Sequence, residues 1–136
     1  MKRLLLLVPL LLVAGCGTAL TPSKVAPSFR VAFVGLYAQQ QELLGRGDVG
    51  SIDPLAACRR TGADADGPGE DWVCSVQYVD LGTSSAQVFE VQVKPDGCWK
   101  ATGPPATQPA ELVDPVTSRP LTNPLSEFDG CLDTGW

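Results

Sequence analysis

The stretch Trp72-Val73-Cys74-Ser75-Val76-Gln77-Tyr78-Val79 decides the fold class of this chain. Its even-numbered residues are all apolar, whereas its odd-numbered residues are mixed, and this two-residue period is typical of a strand with one buried face. A second alternating strand follows over residues 86–94, and a third over residues 98–102 comes after the turn Pro95-Asp96-Gly97. The sequence therefore predicts a three-stranded antiparallel meander.

Two helices are predicted ahead of this meander. Large apolar side chains within residues 28–44 recur near one helical face, namely Phe29, Phe33, Leu36, Tyr37, Leu43 and Leu44. A strand over residues 29–34 is the alternative, because apolar residues also alternate there. A short helix is predicted over residues 53–60, since Asp53 is a good N-cap and Pro54 suits the first helical position.

The N-terminal leader consists of two basic residues, an apolar run over residues 4–13 and the sequence Val13-Ala14-Gly15-Cys16. The apolar run is shorter than the roughly 20 residues that span a bilayer, and it matches a secretory signal. With small residues directly before a cysteine, the leader resembles the lipobox of bacterial lipoproteins. The resemblance implies that residues 1–15 are a cleaved signal peptide and that Cys16 carries the lipid. An ordinary signal peptide or an N-terminal membrane helix is the alternative.

Three segments of the body, Trp72-Val73-Cys74, residues 96–101 and residues 123–131, are similar to small uncharacterised lipoproteins of high-GC Gram-positive bacteria. This resemblance implies no activity and supplies no functional residue. The lipobox implies a location on the extracytoplasmic face of the cell membrane, with the membrane contacted through acyl chains such as palmitate.

Residues 16–26 are small, polar and proline-bearing, and they predict a flexible tether.

The remaining four cysteines, Cys58, Cys74, Cys98 and Cys131, form an even set, which predicts two disulfides in an exported protein. Zinc is disfavoured because the chain has no histidine and no Cys-x-x-Cys pair. Strand alternation turns Cys74 toward the core and Cys98 away from it. Of the three possible connectivities, Cys58 with Cys74 and Cys98 with Cys131 is therefore preferred.

Taken together, these patterns predict an α+β fold, in which an N-terminal helix and a short helix pack on a three-stranded antiparallel meander. Two disulfides staple it, and residues 103–124 form a proline-rich strap. Residues 27–136 are expected to form a single small domain, since the mature chain keeps only 121 residues.

Composition excludes several function classes. Removal of the leader leaves eight basic and fifteen acidic residues, a net charge of about −7, so no nucleic-acid partner is expected. Without histidine, a Ser-His or Cys-His nucleophile pair cannot be built. No catalytic residue, metal ligand or cofactor is therefore predicted, although hydrolysis by a carboxylate pair stays formally open. Residues 64–71 carry four carboxylates that could hold calcium, but a solvated acidic loop is favoured.

Functionally, the sequence predicts a lipid-anchored, non-enzymatic binding or accessory protein that acts through protein contacts in the cell envelope. The alternative is a binder of a small molecule or metal ion that assists a transporter or an envelope enzyme. Trp72, Trp99 and Tyr78 are expected in the core, whereas Trp136 has no assigned role.

Overall fold

The computed structural model describes residues 19–47 and 52–132, which contain one helix and seven strands. The elements are α1 (Pro22–Leu43), β1 (Leu55–Arg60), β2 (Gly69–Asp80), β3 (Thr83–Val93), β4 (Cys98–Thr102), β5 (Glu111–Val113), β6 (Pro120–Thr122) and β7 (Glu127–Cys131). Five strands form an antiparallel sheet in the order β1-β2-β3-β4-β7, while β5 and β6 form a separate hairpin. The predicted signal peptide, Cys16 and Trp136 lie outside the described residues.

The predicted fold class, two helices on a three-stranded meander, is wrong. The described chain is mostly antiparallel β-structure, and α1 is its single helix. The three strands of the predicted meander are present as β2, β3 and β4. The sheet carries one more strand at each edge, however, with β1 beside β2 and β7 beside β4.

Residues 53–60 do not form the expected short helix, because most of them belong to β1. Ala56 lies opposite Val76 and Cys58 lies opposite Cys74 in the ladder with β2. A helix of this length is too short to be stable alone. The strand, in contrast, is stabilised by its pairing with β2 and by the Cys58–Cys74 disulfide. Tertiary pairing therefore overrides the local capping signal.

The C-terminal third is also more regular than the predicted strap. Residues 103–124 contain the β5–β6 hairpin, and the chain then returns to the main sheet as β7. Sequence patterning misses β7 because Gly130 stands at an inward position opposite Trp99. A Cβ on Gly130 would lie 2.5 Å from the Trp99 ring, so only glycine lets the strand lie this close.

The first helix is confirmed as a helix rather than a strand, but it begins at Pro22 instead of residue 28. Proline fits the first turn of a helix, where a backbone N–H has no helical partner. Residues 22–26, which were assigned to the tether, are therefore helical. Within the described ranges, no helix combines the length and the apolar character needed to cross a bilayer.

An aromatic stripe on α1 packs against one face of the sheet, which we call the inner face. Phe29 and Phe33 lie one helical turn apart and are fully buried. Their ring centroids are 5.3 Å and 5.9 Å from the ring centroid of Phe89 on β3. Phe29 also contacts Trp99 of β4 and Phe128 of β7, at 5.8 Å and 5.6 Å. One pair of helical side chains therefore joins three strands into a single core.

The helix and β2 run in the same direction, which gives the domain two opposite poles. At one end the Gly67 amide donates to the Leu20 carbonyl oxygen at 2.8 Å, and we call this end the Leu20 pole. At the other end the Tyr37 hydroxyl donates to Asp80, and we call this end the Leu81 pole after the next residue. The twelve residues of β2 separate the poles by about 35 Å.

Both disulfides join residues that lie directly opposite each other in neighbouring strands. Cys58–Cys74 ties β1 to β2, and Cys98–Cys131 ties β4 to β7, so the preferred pairing is confirmed. The first is buried on the inner face, whereas the second lies on the opposite face, which we call the outer face. Cys58 reaches its partner from a strand, not from the predicted helix. Each edge strand is thus fastened covalently to its neighbour.

Replacing Cys98 and Cys131 together by serine is expected to lower the free energy of unfolding by about 3–4 kcal/mol, because their bond links residues 33 apart in the chain. The Cys58/Cys74 pair, 16 residues apart, is expected to give a slightly smaller effect from loop closure. Urea unfolding of the two double variants measures both losses. If the free energy of unfolding falls by less than about 1 kcal/mol, backbone hydrogen bonds alone hold the edge strands β1 and β7 in place.

Candidate functional site

The outer face of the sheet is open to solvent and carries large apolar side chains. Strand alternation places Leu55, Val79 and Val88 on it, with 74 %, 60 % and 57 % of their surface exposed. Isolated exposed apolar residues are common on protein surfaces, whereas neighbouring ones mark an interaction site more often. The three residues lie on three adjacent strands, so they form one surface.

This surface contains a groove of about 480 Å³ at the Leu81 end of the sheet. Its outer-face lining consists of Leu55, Gln77, Val79, Ser84 and Ala86, and we call it the outer-face groove. The small residues lie on β3, whereas the large apolar residues Leu55 and Val79 lie on β1 and β2. A second hollow of about 240 Å³ continues farther along the same three strands.

The groove presents amides and hydroxyls but no free carboxylate. Asp53 at its rim forms an ion pair with Arg30 of α1. The Arg30 Nε also donates to the Pro54 carbonyl oxygen at 2.9 Å. The chemistry of the groove therefore suits an apolar surface with a few hydrogen-bonding groups.

Leu81 extends this apolar surface to the tip of the β2–β3 hairpin. It is 79 % exposed and adopts a left-handed backbone conformation, with φ of 49°. Gly82 follows with φ of 80°, so both central positions of the turn require a conformation that asparagine and glycine adopt most easily. A leucine here benefits neither the turn nor solubility. The backbone strain at Leu81 lowers stability, which indicates that this leucine has a role other than folding.

The same pole carries a further exposed apolar side chain on the β5–β6 turn. Val116 is 90 % exposed. Its neighbour Pro115 lies 3.6 Å from the position of a Cβ on Gly45, just after α1. Arg46 in turn pairs with Asp80 at 3.0 Å. Residues directly after α1 therefore contact both hairpins, so the β2–β3 turn and the β5–β6 turn lie at the same pole.

Behind this pole, the inner face ends in a cluster of buried amides. Gln40, Gln41, Gln108 and Asn123 are each at most 6 % exposed, and they are the buried polar side chains of the described chain. Gln40 Nε2 donates to Gln108 Oε1 and to Asn123 Oδ1, each at 2.8 Å. Gln108 Nε2 donates to Gln87 of β3 at 2.9 Å, and Gln87 donates to the Tyr78 hydroxyl at 2.9 Å.

The amide cluster attaches the proline-rich segment to α1 and to the sheet. Asn123 Nδ2 donates to the Pro109 carbonyl oxygen at 2.8 Å, and its Oδ1 accepts the Leu125 amide at 3.0 Å. Because buried amides need partners, their network specifies one arrangement of this segment. The cluster therefore fixes the position of this segment at the Leu81 pole.

Sequence patterning misses this cluster. Gln41 is a polar residue outside the apolar set predicted for the helical face, yet it is 4 % exposed. The four-residue steps from Phe29 through Phe33 and Tyr37 lead directly to position 41, and that spacing is the signal that could have found it. No comparable spacing marks Gln108 or Asn123, because they come from irregular segments.

Two tyrosines next to the cluster stay neutral at physiological pH. Burial raises the pKa of Tyr37, and the Asp80 carboxylate that accepts its hydrogen bond raises it further. Burial also raises the pKa of Tyr78. Their ring centroids are 5.1 Å apart, so they act as packed aromatic groups with hydroxyl hydrogen bonds.

The acidic loop over residues 64–71 is organised by an ion pair. Arg60 Nη2 lies 2.6 Å from Asp71 Oδ1, and the Gly62 amide donates to Asp71 Oδ2 at 2.9 Å. The hydrogen bond from Arg60 lowers the pKa of Asp71, and the same bond raises the pKa of Arg60. Among the described residues, no group of three or more acidic or cysteine side chains is arranged to hold a metal ion.

The remaining residues singled out in the sequence have structural positions. Trp72 and Trp99 are each 1 % exposed. The Trp72 indole N–H donates to the Gly67 carbonyl oxygen at 3.0 Å, and that of Trp99 donates to the Ser28 hydroxyl at 2.9 Å. Tyr78 is buried at 8 % exposure, so these three core assignments are confirmed.

Comparisons of the chain with protein-family models, with curated proteins and with solved structures give no match. The function is therefore inferred from the chemistry of the chain itself.

Replacing Gln40 by alanine is expected to lower the free energy of unfolding by about 1–3 kcal/mol, because Gln108 and Asn123 lose a shared donor inside the core. Gln39 is the matched control, since it is the same residue type one position earlier and is exposed. Chemical unfolding of the two alanine variants measures the difference. Equal stabilities would show that the amide cluster contributes nothing to the fold.

The Arg60–Asp71 ion pair predicts loss of stability in acid. Because the pKa of Asp71 is lowered in the fold, its contribution is complete above the unfolded value of about 4 and disappears as pH falls through the folded value. Asp71→Asn is therefore expected to flatten this part of the stability curve, whereas Asp66→Asn is not. Thermal unfolding between neutral and acidic pH compares them, and identical curves for Asp71→Asn and the parent would contradict the assignment.

Proposed function

We propose that this protein is a lipid-anchored lipoprotein on the extracytoplasmic face of the cell membrane and that it binds a partner protein of the cell envelope. The anchor is Cys16, and the binding surface consists of the outer-face groove and Leu81. The proposed role is non-enzymatic. Leu81 is the observation that carries the proposal, because a strained, exposed leucine occupies the tip of a turn.

The location follows from the leader and agrees with the disulfide chemistry. Disulfides persist in oxidising compartments outside the cytoplasm, and the structure contains two of them. Each acyl methylene buried in a bilayer contributes about 0.8 kcal/mol, so two or three chains on Cys16 give a stable anchor. The acidic mature chain does not favour adhesion to anionic lipids by charge alone.

The openness of the groove favours a protein partner. Leu55 and Val79 remain more than half exposed, whereas small-molecule sites enclose most of the ligand surface. A broad apolar contact with a few polar groups is the usual composition of a protein interface. Burial of Leu55, Val79 and Leu81 by a partner removes the apolar surface that the fold itself leaves in water.

A small-molecule ligand is the second candidate function. The groove volume of about 480 Å³ falls within the range of ligand pockets, about 300–1,000 Å³. Gln77 and Ser84 supply polar groups beside apolar walls. A ligand at this place is expected to raise the thermal stability of the isolated domain, which a protein partner absent from the assay cannot do.

Photo-crosslinking in intact cells tests the proposed function. A photoreactive amino acid at position 79 is expected to give a discrete adduct with an envelope protein. The same probe at position 31 serves as the control, since Val31 is also an exposed valine, at 71 %, but lies on α1. Equal adducts from both positions, or no adduct together with a ligand-induced stability shift, would contradict the proposal.

Leu81→Asn separates binding from folding in the same experiment. Asparagine tolerates the left-handed conformation better than leucine, so the variant is expected to be more stable by about 0.5–1 kcal/mol. It is also expected to abolish the adduct formed from position 79. A stabilised variant that keeps the adduct would remove Leu81 from the binding surface.

A further inference from the structure

The first described residues are an integral part of the fold. Leu20 is 7 % exposed, and its carbonyl oxygen accepts the Gly67 amide. Its side chain lies within 3.8 Å of the position of a Cβ on Gly97, where Leu132 also packs. The loop after β1, the β3–β4 turn and the end of β7 therefore enclose Leu20 at one pole.

This position limits how far the domain can stand from a lipid on Cys16. Cys16 lies four positions before Leu20 in the sequence, and four residue-to-residue steps reach at most about 14 Å. The Leu81 pole lies about 35 Å from the Leu20 pole along β2. A lipid anchor at Cys16 therefore fixes which pole is near the bilayer.

We propose that the domain stands on the membrane by its Leu20 pole, with lipid headgroups as the contacting surface, and presents the Leu81 pole outward. This orientation rests on the proposed function, because it requires the lipid on Cys16. The sequence predicted a tether to residue 26, which would permit any orientation. The burial of Leu20 in the domain removes most of that freedom.

Charge does not set the orientation, because the Leu20 pole carries exposed lysines and exposed carboxylates together. Lys24 and Lys94 are exposed at the Leu20 pole, and only one other lysine, Lys100, follows the leader. Asp64 and Asp66 share this pole, so charge does not draw it to the lipid and the short tether must hold it there. The net charge of about −7 disfavours a broad contact of the domain with anionic headgroups.

The orientation places the outer-face groove and Leu81 on the side of the domain far from the bilayer. A partner therefore binds at a height of about 35 Å above the lipid headgroups. This distance suits the extracytoplasmic part of an envelope protein and excludes a partner confined to the lipid surface. The lipid anchor and the binding surface thus occupy opposite ends of one rigid element, β2.

Fluorescence quenching on vesicles tests the orientation with two matched labels. Thr83 and Lys94 flank the two ends of β3 and are both exposed. Each is replaced by cysteine and labelled in the purified lipidated protein, which is then placed in vesicles of phosphatidylcholine and phosphatidylglycerol with a headgroup-linked quencher. Quenching at position 94 is expected to be several-fold stronger than at position 83.

A control variant carries a flexible Gly-Ser spacer of about ten residues after Gly17, which lengthens the reach of the tether. The difference between the two labels is expected to shrink in this variant. Equal quenching at both positions in the native chain, or none at either with Cys16 lipidated, would overturn the orientation alone. An intact mass that shows an unmodified Cys16 would overturn the lipid anchor and the orientation with it.

Discussion

The packing of the α1 aromatic stripe against one face of the sheet is the interaction on which the rest of the structure depends. Phe29 and Phe33 bring β3, β4 and β7 into one core, and no second helix within the described residues covers the outer face. The covered face supplies stability, while the open face retains apolar side chains in water. The binding surface proposed for this protein is thus a direct consequence of a single helix packing on a five-stranded sheet.

Small size explains why the remaining parts are fastened by other means. A chain of 136 residues buries a modest apolar core, and the two edge strands of its sheet are short. Cross-strand disulfides fix both edges, and the amide cluster around Gln40 and Asn123 attaches the irregular C-terminal segment. The disulfides require an oxidising compartment, so the proposed extracytoplasmic address and the stability of the fold depend on each other.

The central strands and the cysteine pairing could be predicted from the sequence, because alternation of side chains is a local signal that burial preserves. β1 and β7 could not be predicted, since their strand character comes from pairing with β2 and β4 rather than from their own residues. Asp53 and Pro54 locally favour a helix, and Gly130 interrupts the pattern of β7. The outer-face groove likewise depends on register, which places Leu55 beside Gln77 and Ala86 beyond it, and no single segment encodes that arrangement.

The surface proposed to bind a partner in the cell is the outer-face groove together with Leu81. Covalent footprinting of exposed side chains tests this most directly, by comparing native membranes with the purified lipidated protein in vesicles. We predict that labelling of Leu55, Val79 and Leu81 decreases in native membranes, whereas labelling of Val31 stays unchanged. Equal labelling of the groove in both preparations would contradict the account.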